Sequence, residues 1–325
     1  MSCQSHNHTA NASVSGDPTN TRPLRGAFID ELARRFERLR ELVQRTVGTE
    51  NDALDLAANA EAEEAFEFDS DSGRVGQFYQ WLRGALRDEL LDPVPRSAQE
   101  AGEHWTAAFI RRAYVIGWNQ ATGLLFQRGA SVENYDDEAI LNLPIPQAQL
   151  RDLYTRTFEQ LQGITDAAAD TLREELTTGL NNGENPRKIA RRLTEALESI
   201  ERSRAQTLAR TEIINSHSMA ALDRYEDAGV GVVSHSEWAT ADDDRVCAIC
   251  RALDGREFTT AEMRTTTFEM DGVSFPVRLR PPAHPNGRCV LLPVIGADPP
   301  ATPLEDRLPD EPAPAQQAAN ARVVA

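Results

Sequence analysis

The stretch DDDRVCAICRALDG, residues 242–255, decides how this chain reads. It sets Cys247 and Cys250 three positions apart behind a run of aspartates, in a chain with only 4 cysteines. A further cysteine closes PPAHPNGRC, residues 281–289, shortly after His284. A CxxC turn lets two thiolates face one ion while backbone N–H groups soften their charge, and His284 with Cys289 would complete a tetrahedron. Three cysteines and one histidine, namely Cys247, Cys250, His284 and Cys289, match a closed structural zinc site. The competing readings are unligated thiols or a Cys247–Cys250 disulfide, and a cytoplasmic setting disfavours the disulfide. Cys3, and His6 and His8 beside it, read as tail residues without a role.

A closed set of four ligands leaves no position for a reacting water. The chain has no HExxH motif and no His-x-Glu before a Pro-Cys-x-x-Cys. The zinc is therefore expected to be structural. No catalytic residue and no organic cofactor is assigned, and the chain is not expected to be an enzyme.

Outward from the cluster, the chain divides by pattern. The fold class expected is α+β: a mostly helical N-terminal region followed by a small zinc-stapled module with short strands. Residues 1–22 are polar and read as a disordered tail. Residues 23–140 read as a helical region, opened by Phe28, Leu32, Phe36, Leu39 and Val43 at spacings of three and four. An acidic interlude follows from Glu50, then a second helix over VGQFYQWLRGALRDELL and a third, long one over residues 98–129. After a connector, helices continue to residue 228, with Pro186 opening one of them. From Val230 the pattern turns to strands: VGVVSHSEWAT, GREFTT, and a pair about the Asp271-Gly272 turn. From Ala297 to Ala325 the chain reads as an acidic Pro- and Ala-rich tail.

Charge narrows the functional classes. The net charge is −17, and among 34 basic residues the one lysine is Lys188. Such a balance suits high salt, where a Debye length near ~3 Å at 1 M weakens self-repulsion; a GC-rich genome that writes Arg for Lys is the plainer account. It opposes broad, sequence-independent nucleic-acid binding, which rests on Lys and Arg neutralising phosphates, and leaves room for a local arginine patch. No segment has the length and apolarity of a membrane span, and the N-terminus has no secretory pattern.

Several residues invite a role. Ala205, Leu208, Ala209, Ile213 and Ala220 form a helical stripe with Glu212 inside it. A buried Glu212 needs a partner, and Arg245 is the candidate; a solvated helix edge is the alternative. Arg210 falls off the stripe, facing Asp242, Asp243 or Asp244. His217 reads as a polar helix-face residue. Trp105, Phe109, Tyr114 and Trp118 read as core or helix contact before any partner surface.

Three stretches together resemble a known family: AQTLARTEIINSHSMAALDRYEDAGV (205–230), EWATADDDRVCAICRALDGREF (237–258) and PPAHPNGRC. They are similar to the Mu F-like minor head proteins of tailed viruses, also called SPP1-type head morphogenesis proteins. The matching positions are Ala209, Arg210, Thr211 and Glu212, then Trp238, Asp244, Arg245, Cys247 and Cys250, then Asp254-Gly255 and the run from Pro281 to Cys289. Many relatives carry Cys-Arg-Cys where this chain has Gly287-Arg288-Cys289. The resemblance covers roughly residues 165–295 and implies a head-morphogenesis domain over 147–296, with its metal knuckle at 230–296.

The resemblance implies a minor capsid protein in the virion or procapsid, in the host cytoplasm during assembly, partnered with portal and major capsid proteins and with viral DNA as a further partner. It would act in procapsid assembly, DNA packaging or genome delivery. With the salt-suited composition it suggests a virus or provirus of a haloarchaeon. It gives Arg210, Glu212, Trp238, Asp244 and Arg245 structural roles. The rivals are a zinc-stabilised nuclease of the HNH kind or a toxin-like enzyme domain, and a zinc-ribbon nucleic-acid adaptor.

Overall fold

The computed structural model describes residues 17–49, 72–241, 243 and 245–313. The fold is α+β, largely helical with a few short antiparallel strands toward the C-terminus. The chain forms two compact units, one of Met1–Leu24, Phe109–Leu150 and Arg210–Ala325, the other of Arg25–Ala108 and Arg151–Ala209. The outermost parts of both expected tails, most of the acidic interlude after Glu50, and Asp242 and Asp244 lie outside the described residues.

The all-helical unit begins with α1 (Arg22–Val43), whose stripe of Phe28, Leu32, Phe36, Leu39 and Val43 is buried as its spacing predicts. Wider helical turns extend it over Gln44–Thr49. Then come α2 (Ser72–Leu86), extended over Arg87–Leu91, and α3 (Arg96–Glu100). The single long helix expected over 98–129 is instead two, because Gly102 takes a left-handed φ of 74° and α4 starts afresh at Ala107–Gln127. In the break, His104 Nε2 lies 2.6 Å from the Leu91 carbonyl oxygen, and Trp105 packs edge-on against Phe28 at 5.7 Å. The unit also holds most of α6 (Pro144–Asn181) and all of α7 (Pro186–Ile200). Asn185 caps α7 by accepting the Lys188 N–H at 3.0 Å, with Pro186 in the first turn, where its missing N–H goes unneeded.

The second unit packs the bodies of α4 and α8 (Gln206–Ala228) beside α5 (Asp137–Asn142) and the strands. Where α4 meets α8, a Cβ on Gly117 would stand 2.3 Å from the His217 carbonyl oxygen. Only glycine allows backbones that close. His217, read from the sequence as a polar helix-face residue, is buried, with Nε2 2.9 Å from Gln120 Oε1. Asp223 on α8 is fully buried between the Tyr114 hydroxyl and the Arg264 guanidinium, and burial pushes its carboxyl up.

The sheet runs β2-β1-β5, all antiparallel, with β1 (Val233–Ala239), β2 (Glu257–Phe258) and β5 (Val290–Ile295). Ala239 pairs with Val290, and these two with Leu292 join Leu124 of α4 in one apolar cluster. The hairpin about Asp271-Gly272 is a short ladder of β3 (Thr267–Phe268) on β4 (Val277–Arg278), with that turn inside a longer loop. Two one-turn helices, α9 (Ala248–Leu253) and α10 (Thr260–Thr265), occupy the remaining links; α10 is held by a capping box from Thr259 and Glu262.

Order reaches further into the expected tails than composition indicates. Asp17 is buried and its carboxylate accepts the Arg22 N–H at 2.7 Å, fixing the entry to α1. At the other end α11 (Leu304–Arg307) packs down: Arg307 donates to the Glu257 carbonyl at 2.8 Å, and the Ala313 N–H reaches the Ala248 carbonyl at 3.1 Å. Specific hydrogen bonds hold this segment where apolar content is low. No helix among the described residues is long and apolar enough to cross a membrane.

Candidate metal centre

Cys247 is the N-cap of α9, and its sulfur accepts the Cys250 N–H at 3.4 Å. This turn aims both sulfurs to one side of the chain. The other half comes from the loop between β4 and β5. His284 Nδ1 donates to the Pro285 carbonyl at 2.8 Å, which turns Nε2 to the sulfurs, 3.0 Å from that of Cys247 and 3.4 Å from that of Cys250. The donor atoms of Cys247, Cys250 and His284 all lie within 4.8 Å of one another. Cys289, buried at the head of β5, lines the same small cavity with its thiol against that of Cys250.

The ionisation of these groups is mutually constrained. A hydrogen bond from Cys250, aided by His284, holds the Cys247 thiol down at about 4. The same contact and the neighbouring Cys289 push Cys250 up. Cys289 is held low by Cys250, and His284 is raised by its bond to Cys247. Three sulfurs this close cannot all carry charge unless a cation sits among them. The buried Trp238 Nε1–H favours the Cys289 thiolate, yet makes no full hydrogen bond. An N–H left in that position suits a thiolate sulfur. The donor types and the fixed histidine tautomer of Cys247, Cys250 and His284 fit a zinc ion, while Cys289 lies outside that mutually close group and meets it through Cys250. A zinc ion there would neutralise the thiolates and tie α9 to the β4–β5 loop.

The two halves are also joined without metal. Arg288 donates through both terminal nitrogens to Asp243, at 2.8 and 2.6 Å, and Arg245 joins the same carboxylate at 3.1 Å. The guanidinium of Arg288 holds the Asp243 carboxyl well below the usual carboxylate range. Thr211 on α8 accepts the Asn286 N–H at 3.3 Å, and Arg280 donates to Asn215, so α8 braces the histidine-bearing loop.

Among the structural candidates, Trp238 is fully buried beside the cluster. Glu212 is buried as its stripe indicates, but Arg245 does not reach it: that side chain turns outward to Asp243. Arg210 is exposed on α8. Asp244 lies outside the described residues, so its role is not placed. Sequence reasoning missed the Arg288–Asp243 clasp; the available signal was an arginine next to Cys289 and an aspartate run just ahead of Cys247. It also missed Thr211 as a brace, although Thr211 belongs to the Ala-Arg-Thr-Glu run.

No curated protein and no solved structure matches the chain. Residues 170–292, a span that contains the CxxC turn, His284 and Cys289, match the family model described as Phage Mu protein F like protein.

Proposed function

We propose that the chain is a minor head protein of a tailed virus, acting with the portal during procapsid assembly, DNA packaging or genome delivery. The observation that carries this reading is the overlap of the matched span, 170–292, with the brace, the clasp and the cysteine–histidine cluster. Those features form one mechanical unit: α8 holds the loop that bears His284, and zinc on Cys247, Cys250, His284 and Cys289 locks that loop to α9. A closed ligand set is suited to a structural role and not to catalysis, and we read the chain as non-enzymatic. The acidic, lysine-poor composition suits assembly in high salt, in keeping with a haloarchaeal host.

The test is mass spectrometry of particles purified from cells that carry the encoding element, together with co-purification of tagged chain with portal and major capsid proteins. The chain in procapsids at a few copies, bound to portal protein, is the expected result. Its absence from particles, with metal-dependent DNA cleavage by the purified protein, would favour the nuclease reading instead.

A further inference from the structure

The helical unit carries a second feature, remote in sequence from the cysteine cluster. A cleft of about 570 Å³ is lined by Arg187, Lys188 and Arg191 of α7, by Asn185 and Thr194, and by Gln44 from the extension of α1. Among the described residues no carboxylate lines it, although acids outnumber bases 51 to 34 in the chain. Random placement in so acidic a protein would intersperse Asp or Glu among three adjacent cations.

Of the three cations, Lys188 is engaged by Glu184, Arg191 is loosely paired and Arg187 is the free one among the described residues. Glu184 is engaged by Arg192 and Lys188, each at 3.0 Å. Glu195 stands 3.7 Å from Arg191, both side chains being 68 % exposed, a loose pair that water screens. Arg187 is exposed and has no ion-pair partner among the described residues. The end of α7 does not supply the site, since Asn185 already takes the Lys188 N–H.

We propose that this cleft binds a phosphate group. Guanidinium forks, an ammonium, side-chain amides and a hydroxyl are the groups that contact phosphate oxygens. The volume exceeds one phosphate and admits a nucleotide or a stretch of phosphodiester backbone. The rest of the acidic surface repels polyanions, so binding is confined to this face and depends on it. This assignment stands apart from the metal centre and from the head-protein reading.

The test uses the full-length protein at about 50 mM salt, where phosphate contacts are strongest. Anisotropy follows a labelled single-stranded oligonucleotide and its duplex, calorimetry follows pyrophosphate, and a polyglutamate peptide serves as the carboxylate control. Arg187→Glu/Arg191→Glu should weaken binding at least tenfold, Arg187→Gln/Arg191→Gln by less, and Arg96→Glu, at an exposed arginine of the same unit, should leave it unchanged. The glutamine pair keeps the test valid if charge reversal impairs folding. Three cations predict a log–log salt slope of about −2 to −3 for the oligonucleotide. Binding of pyrophosphate with the same variant losses identifies a free phosphate ligand; binding of the oligonucleotide alone identifies a phosphodiester chain. Binding by neither, equal binding by the double variants, or polyglutamate binding as tightly would overturn the proposal.

Discussion

Arg288 grips Asp243 through two parallel hydrogen bonds of 2.8 and 2.6 Å, joining the residue next to Cys289 to the loop that leads into Cys247. The clasp brings the two halves of the cysteine–histidine cluster together through side chains that are not themselves ligands. It pre-forms the site, so less ordering remains to be done when an ion enters.

Arg288→Ala should therefore weaken zinc binding by about tenfold or more, the range seen when residues that orient metal ligands are removed. Arg288→Lys should fall between, because an ammonium cannot make the paired fork. Competition against a chromogenic chelator measures this. Equal affinity in all three proteins would show the clasp to be irrelevant to the site.

At Gly287, next to Arg288 and Cys289, the structure shows why a side chain is unwelcome. A Cβ there would lie 3.1 Å from the Pro282 Cβ and 3.3 Å from the His284 carbonyl oxygen. Gly287→Cys should cost about 1 kcal/mol and should not rescue zinc binding in a Cys289→Ser background. Metal analysis and thermal melts of the single and double variants give the answer.

The α4–α8 crossing predicts a contrast between two glycines on one helix. Gly117→Ala would drive a methyl into the His217 backbone and should destabilise by about 3 kcal/mol. Gly123→Ala meets nothing within 4 Å and should be neutral or stabilising by up to about 1 kcal/mol. Urea denaturation of both variants separates them.

Glu184 supplies a pH-dependent contribution. Hydrogen bonds from Arg192, then Lys188, lower its carboxyl from 4.5 to about 2. A folded-state value below the unfolded one means that the contribution is fully present above about pH 4.5 and is lost as pH falls toward 2. Glu184→Gln should lower the melting temperature at pH 7, and the gap to wild type should close as pH drops through that window. A gap independent of pH would assign the effect to packing.

Much of this was legible in the residues. The α1 stripe, the Asn185-Pro186 helix start and the CxxC…HxxxxC spacing each rest on local chemistry that a sequence displays. What was hidden depends on tertiary partners. Strand β5 carries Pro293, which lowers its strand signal, but it lies at the sheet edge, where proline is tolerated. Gly102 falls within the helical pattern of residues 98–129, yet its left-handed conformation divides the helix. Arg245 was matched to Glu212 by charge alone, and Asp243, two residues away, took it first. The segment 297–313 is poor in large apolar residues, and the hydrogen bonds that hold it leave no compositional trace.

Metal content of the purified full-length protein, wild type beside Cys250→Ser, tests the zinc staple most directly. One zinc per chain in the wild type, lost in Cys250→Ser together with the order of the β1–β5 module, is the predicted result. A well-folded wild-type protein that holds no metal after zinc loading would contradict it, leaving the four residues as ordinary thiols and an imidazole.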